Sequence, residues 1–246
     1  MGVDSASENR ILAGLPERER SLLLSALEEI ELYLGDVLDN AGDSLRFLHF
    51  PLHAGLSVVN QQAQPHDRQV VDVSVVGREG CTGASIVQGS DKSPSTVMVE
   101  IGGTAVRLKS SEVLQQRADL PYLWNALARY NFLLYRHAII SVGCSQFHSP
   151  EQRAARWLKA HWHRTGVALF PFSTPFFAAQ AGLDEQTTAE VLSELERRGV
   201  IQLSHNTIAI ANQDALAARS CDCFAQAKAA TDEYAYDLAH IASAYK

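Results

Sequence analysis

The chain has 246 residues, 46% of them hydrophobic, and a formal net charge of −7; at roughly 100 to 200 residues per domain, two moderate cores are expected rather than one. The acidic balance excludes a generic polyanion binder, because nonspecific nucleic-acid affinity comes mostly from lysine and arginine neutralising phosphates, so any grip on DNA must be locally concentrated. No window approaches the ~18 uninterrupted apolar residues of a membrane span, and no secretion signal is seen, so a cytoplasmic protein with no membrane partner is expected.

The opening MGVDSASENR has neither a basic n-region nor an apolar h-region, and Ala6 stands where an N-myristoylation motif calls for Ser or Thr. From Asn9 to Glu31 a helical lead is predicted, with Leu12, Leu15, Leu22, Leu23, Ala26, Leu27 and Ile30 as its apolar stripe. From Leu34 to about Lys109 the texture changes to short apolar runs cut by Gly, Asp, Asn and Pro: FLHFPL, LSVVN, QVVDVSVVG, TVMVEI and TAVRLK. Brief strands at such spacing predict a sandwich, jelly roll or barrel. Val71, Val73 and Val75 alternate with Asp72 and Ser74, the period of a half-buried strand. His49 and His53 straddle Pro51 as single imidazoles, which are usually structural; one of them, or Cys81, is the candidate here for a haem ligand or redox sensor.

Between Ser110 and Val142 the pattern turns helical. Leu120, Trp124, Leu127, Asn131, Leu134 and Ala138 alternate spacings of four and three, the pattern of a coiled-coil dimer seam in which Asn131 would fix register. The alternative is an amphipathic helix packed on its own β domain. Ser149-Pro150 breaks this helix, and Pro150 suits the first turn of another reaching about His163. His161 and His163 flank Trp162 but point to different faces, so they do not make a metal pair. Phe172–Ala181 and Asp184–Arg198 then read as a helix-turn-helix around Gly182, packed through Phe177, Ala178, Ala181, Leu183, Ala189, Leu192 and Leu195. Ser173, or Thr174 before Pro175, caps the first helix, Asp184 caps the second, and Gly199 ends it. VIQL and TIAI around Ser204-His205-Asn206 add a two-stranded wing, and an alanine-rich helical tail follows Asn212. The four cysteines are too scattered for a disulfide framework, and reduced thiols are expected. Cys221 and Cys223 form a C-x-C pair that suits a soft metal or redox centre, but no second pair at zinc-ligand spacing is evident, so no metal is expected.

This order, with VGREG at Val76–Gly80, HSPEQRAARWL at His148–Leu158 and AAQAGLDEQTTAEVLSELERRGVI at Ala178–Ile201, resembles the CRP/FNR transcription regulators over about Asn9 to Phe224. The resemblance implies an α+β fold: a double-stranded β-helix (jelly-roll) sensor domain with helical lead over 1–117, a dimerisation helix over 118–147, a winged helix-turn-helix DNA-binding domain over 148–224, and a C-terminal helical tail over 225–246. It implies a homodimeric transcription regulator, not an enzyme, with double-stranded DNA and a second copy of the chain as partners and RNA polymerase as a further candidate. No G-x-S-x-G, P-loop, H-E-x-x-H or paired-carboxylate motif argues for catalysis.

Departures from the family pattern matter as much as matches. The stretch matching the cyclic-AMP phosphate cassette, GCTGASIVQGSDKSPSTVMVE, offers Lys92, Ser93, Ser95 and Thr96 but no arginine, and Pro94 removes a backbone donor. An anion without a bidentate guanidinium partner loses most specific recognition, so no cyclic AMP and no other named cofactor is expected. An FNR-type iron-sulfur cluster needs N-terminal cysteines, and none precedes Cys81. The resemblance places DNA contacts at Thr174, Glu185, Gln186, Thr187, Thr188, Glu190, His205 and Asn206. Glu185 and Glu190 stand where relatives carry arginines; a carboxylate repels phosphate but can accept a hydrogen bond from cytosine. Arg153, Arg156, Lys159, Arg164, Arg197 and Arg198 remain to touch the DNA backbone, unless the last two pair with Glu194. A competing reading is a degenerate family member that no longer reads DNA and acts through protein contacts.

Overall fold

A computed structural model describes residues 6–64, 67–165 and 168–245, but the side chains of residues 61–64, 67–72, 164 and 165, among them Val71, Asp72 and Arg164, lie outside the description. Asn9, fully buried, caps the first helix, α1 (Arg10–Ala13), by accepting from the N–H groups of Ile11 and Leu12, while its amide donates to the carbonyls of Pro51 (3.1 Å) and Gly80 (2.8 Å). One polar side chain thereby satisfies two backbone donors and two acceptors inside the core. A second helix, α2 (Glu17–Leu23), follows. The helical lead ends there. Glu28–Leu32, assigned above to its last turns, is strand β1, because Ile30 and Leu32 turn inward while Glu29 and Glu31 stay exposed, a period of two rather than 3.6.

Strands β2 (Val37–Asp39), β3 (Phe47–Pro51), β4 (Gly55–Gln64), β5 (Asp67–Val76), β6 (Thr96–Ile101) and β7 (Gly103–Lys109) complete two antiparallel sheets, ordered β1-β7-β3 and β2-β6-β4-β5. Leu48, Phe50, Leu56, Val99 and Leu108 fill the space between them. A short helix α3 (Ser110–Gln115) leads to α4 (Pro121–Phe147), whose first turns deliver Leu120, Tyr122, Leu123, Ala126, Leu127 and Tyr130 to the same core. The N-terminal end of α4 is capped from a distance: the buried carboxylate of Glu19 accepts from the N–H of Tyr122 (2.8 Å) and of Leu123 (3.0 Å). Gly80 is tight for a different reason than turn conformation, since a Cβ there would fall 1.9 Å from Cζ of the Tyr130 ring.

His49 on β3 is 5% exposed, and its Nδ1 faces the Thr82 hydroxyl at 3.2 Å. Burial, helped by the neighbouring Arg107 guanidinium, lowers its pKa to about 4. The folded state thus keeps a neutral ring where the unfolded chain protonates near 6.5. This contribution to stability is complete above pH 6.5 and is lost as pH falls from 6.5 towards 4, by at most about 3 kcal/mol. Urea unfolding at pH 7.5 and pH 5 should show the drop, and His49→Gln should flatten it; a native chain equally stable at both would remove the assignment. His53 bonds Thr104 (2.8 Å) and faces Glu8 (3.0 Å), and His137 lies between Ser74 (3.1 Å) and Thr231 (3.3 Å).

Further elements follow the break at Ser149. They are α5 (Pro150–Thr165), β8 (Leu169–Pro171), α6 (Thr174–Ala181), α7 (Glu185–Arg197), β9 (Ile201–Ser204), β10 (Thr207–Ile210), α8 (Gln213–Arg219) and α9 (Cys223–Ala244). The wing has three strands, β8-β10-β9, rather than two; Leu169–Pro171 is too short to show a period in sequence. Trp157, Leu158, Phe170, Phe177, Leu192, Leu195, Ile201 and Ile208 form its core, each large side chain worth roughly 1.5 to 3 kcal/mol on burial. His161 belongs to that core, its ring 5.1 Å from Trp157 and 4.2 Å from Phe170. The described residues divide into two compact units, one drawn from 1–60, 73–137 and 229–246, the other from 61–72 and 138–228. The tail from residue 229 on therefore belongs to the first unit, where Ala230, Tyr234, Leu238 and Ala242 join the core. No described helix is long and apolar enough to cross a membrane.

Candidate nucleic-acid interface

The two helices of the helix-turn-helix are set by local chemistry. Ser173 accepts from the N–H of Phe176 to cap α6, with Pro175 in its first turn. Gly182, at φ 64°, takes the left-handed conformation that ends α6 and lets the chain turn. Asp184 then caps α7, accepting from both the N–H and the hydroxyl of Thr187 at 2.7 Å. These bonds hold the Asp184 carboxyl below its usual range and complement the positive end of the helix.

Placement on the surface sorts the residues assigned to DNA. Glu185, Gln186 and Glu190 are exposed on α7, with Gln186 donating to Glu190 at 3.1 Å. His205 and Asn206 are exposed at the wing turn, where the Asn206 carbonyl accepts from the N–H of Phe172 (2.8 Å). Thr174 and Thr187 are half-buried, and Thr187 is committed to the cap. Thr188 is corrected: it is fully buried, and its hydroxyl donates to the Asp184 carbonyl at 2.8 Å, so it holds the turn and presents nothing outward.

The cations assigned to the DNA backbone are largely engaged. Arg197 grips Glu194 with two bonds (2.7 and 2.6 Å), and Arg198 bonds the same carboxylate and reaches Glu151 at 3.4 Å. Hydrogen bonds from Arg197 and then Arg198 pull the Glu194 carboxyl down to about 2. Lys159 lies over the Phe224 ring at 4.6 Å, and Arg153 and Arg156 are half-buried. The outward face of α7 presents Glu185, Gln186, Ala189, Glu190, Ser193 and Glu196, with exposed Arg197 in its last turn paired to Glu194, so its first turns are uncharged in part and otherwise negative.

Most of the seam assigned to α4 packs within the first unit. Leu120 and Leu127 are fully buried, Trp124 and Leu134 pack partly against the same core, Ala138 is half-buried, and the Asn131 amide donates to the Ala84 carbonyl at 2.7 Å. The asparagine's polarity is answered within the chain. Another stripe of α4, Phe132, Tyr135, Ile139 and Val142, is more than half exposed and has the same alternation of three and four.

Two candidate groups differ from their sequence reading. Cys81 is fully buried, and burial raises its thiol far above the usual range, which leaves an inert apolar side chain rather than a sensor. Cys221 and Cys223, by contrast, do meet a second pair: Cys144 and His148, one helical turn apart, bring their donor atoms together with the two thiols so that all four atoms lie within 4.8 Å of one another. The C-x-x-x-H spacing across the C-terminal end of α4 was the signal in the sequence.

Residues 152–219 match the Crp-like helix-turn-helix domain family. No curated protein sequence matches the chain. Among solved structures it is similar to a putative transcriptional regulator of the crp/fnr family from Eubacterium rectale, with a TM-score of 0.69 and 13% identity over 85% of this chain and 96% of that one. FixK2 from Bradyrhizobium japonicum aligns with a TM-score of 0.66 and 13% identity over 79% and 98% of the two chains. The c-di-GMP-responsive global regulator CLP of Xanthomonas campestris gives 0.66 and 13% over 78% and 97%. At such identity the likeness establishes the fold.

Proposed function

Because the chain carries a Crp-like helix-turn-helix domain on the fold of the CRP/FNR regulators, we propose that it is a homodimeric, DNA-binding transcription regulator of that type, not an enzyme, answering to an effector other than cyclic AMP. The observation that carries this reading is the capped helix-turn-helix itself, with the start of α7 and the wing turn both exposed, the arrangement that enters a major groove. Dimerisation is assigned to the Phe132, Tyr135, Ile139 and Val142 stripe, whose seven-residue period suits a helix pair. Two winged units held about one helical turn apart would then read two half-sites, and RNA polymerase is the partner a bound activator would meet. In the cassette stretch, Ser93 donates to the Ser95 carbonyl (2.7 Å), Thr96 accepts from the Ala41 N–H (3.3 Å), and Lys92 is exposed. The Ser93 and Thr96 hydroxyls are engaged within the protein, and the stretch itself contains no arginine, which supports an effector other than a cyclic phosphate.

A second reading, loss of DNA binding in favour of a protein partner, is favoured by the carboxylates on α7 and by the capture of both terminal arginines by Glu194. Footprinting on genomic fragments at low salt, with the chain's mass measured by sedimentation, separates the two. A dimer should protect discrete sites, lose affinity steeply with salt, and be indifferent to cyclic AMP. Glu185→Arg with Glu190→Arg should raise nonspecific affinity about tenfold or more at low salt and steepen the salt slope by about two. A monomeric native chain that protects nothing, beside a double variant that binds, would falsify the regulator reading and leave the partner-binding one.

A further inference from the structure

We propose that Cys144, His148, Cys221 and Cys223 form a closed, tetrahedral zinc(II) site that ties the C-terminal end of α4 to the junction of α8 and α9. The inference goes beyond the DNA-binding reading and does not depend on it. Its basis is the convergence of four donors from two distant stretches of chain. The His148 N–H donates to the Cys144 carbonyl at 3.2 Å, which carries helical geometry through to the imidazole and sets both side chains on one face. Ser220, with φ −73° and ψ 143°, ends α8 in extended backbone, so that Cys221 and Cys223 follow the turn into α9.

Two of the donor spacings are close to those a metal would impose, and all lie within 4.8 Å. Cys144 Sγ lies 3.6 Å from Cys221 Sγ, and Cys223 Sγ lies 3.5 Å from His148 Nδ1. A tetrahedral zinc with Zn–S of about 2.3 Å and Zn–N of about 2.05 Å places its sulfurs about 3.8 Å apart and sulfur and nitrogen about 3.6 Å apart. A disulfide would need its sulfurs at about 2.05 Å and would leave the remaining thiol and the imidazole without a common purpose. The three thiols are buried as a small cluster of their own, with Ile140 packed against it, apart from the large apolar cores of the two units. Three cysteines and one histidine fill all four positions, so the site has no open place for substrate and its role is structural.

Charge supports the same assignment. The Arg156 guanidinium acts on Cys144 and Cys223 as a neighbouring positive charge, which favours their thiolate forms. Arg156 Nε is buried and finds no acceptor among the described residues, so a cation already faces the cluster. Binding exchanges three thiol protons, released to solvent, for one zinc ion; His148 supplies a neutral Nδ1 lone pair and no electron changes hands. The product carries one net negative charge, which Arg156 offsets. Affinity rises with pH because protons are displaced.

The test uses the full chain, purified without a polyhistidine tag under reducing conditions. Metal analysis should find about one zinc per chain. Cobalt(II) loaded into chelator-stripped protein should give the intense visible bands of a tetrahedral site and a near-ultraviolet thiolate charge-transfer band. Stripping should lower the melting temperature by at least about 5 °C, restored by zinc. Cys144→Ser with Cys223→Ser should cut zinc content at least tenfold, whereas Cys81→Ala should leave it unchanged. Should the double variant misfold, the cobalt spectrum of the unaltered chain decides alone. Absence of a charge-transfer band, iron and sulfide in place of zinc, a Cys144–Cys221 disulfide in the reduced preparation, or full zinc content in the folded double variant would each overturn the proposal.

Discussion

Gly80→Ala should destabilise the protein by about 3 kcal/mol, at the upper end of what overpacking a core costs. The added methyl would stand 1.9 Å from Cζ and 2.0 Å from Cε2 of Tyr130, far inside contact distance. Tyr130 has nowhere to go: it is 1% exposed and packs against Tyr234 with ring centroids 5.6 Å apart. Moving the glycine instead would disturb its carbonyl, which accepts from the buried Asn9 amide at 2.8 Å. Urea unfolding followed by circular dichroism measures the loss, and a double-mutant cycle with Tyr130→Leu locates it. If the leucine background does not recover at least half of the lost stability, the clash is not the cause.

Glu19→Ala should cost a similar amount, about 3 kcal/mol, although it removes a bond rather than adding an atom. The carboxylate is 3% exposed and serves two N–H groups at the start of a 27-residue helix, where the preceding residue, Leu120, has no side-chain acceptor to offer. Each buried donor left alone costs roughly 1 to 3 kcal/mol, and the negative charge also complements the helix end. Glu19→Gln keeps one good acceptor and should lose about half as much. Equal losses for the two variants would show that the charge, not the number of acceptors, carries the effect; a loss under about 1 kcal/mol for alanine would show that water takes the carboxylate's place.

Much of the fold was legible because its signals are local. Caps at Ser173 and Asp184, left-handed glycines at 182 and 199, and the Ser149-Pro150 break are each specified by one or two residues, and each is where the sequence placed it. What failed to read was non-local. Glu28–Leu32 has too few residues to separate a helix end from a strand until β7 pairs with it. Leu120 and Leu127 have the spacing of a dimer seam, and only the β sheets covering them reveal that the same spacing serves a core. Thr188 looks like a surface reader in sequence, but the turn at Gly182 folds that side of α7 inward. The Cys144–His148 pair was visible as a spacing, yet its meaning required Cys221 and Cys223, more than seventy residues away, to arrive beside it.

The placement of Ala230, Tyr234, Leu238 and Ala242 in the first unit's core has a consequence for biosynthesis. The sheets of that unit are translated before residue 110, but the side chains that close them over emerge only with α9. At the ordinary ribosomal pace of about 5 to 20 residues per second, the intervening stretch takes on the order of ten seconds to appear. During that interval the nascent first unit exposes apolar surface, and a stop codon ahead of α9 would release a product permanently missing that cover.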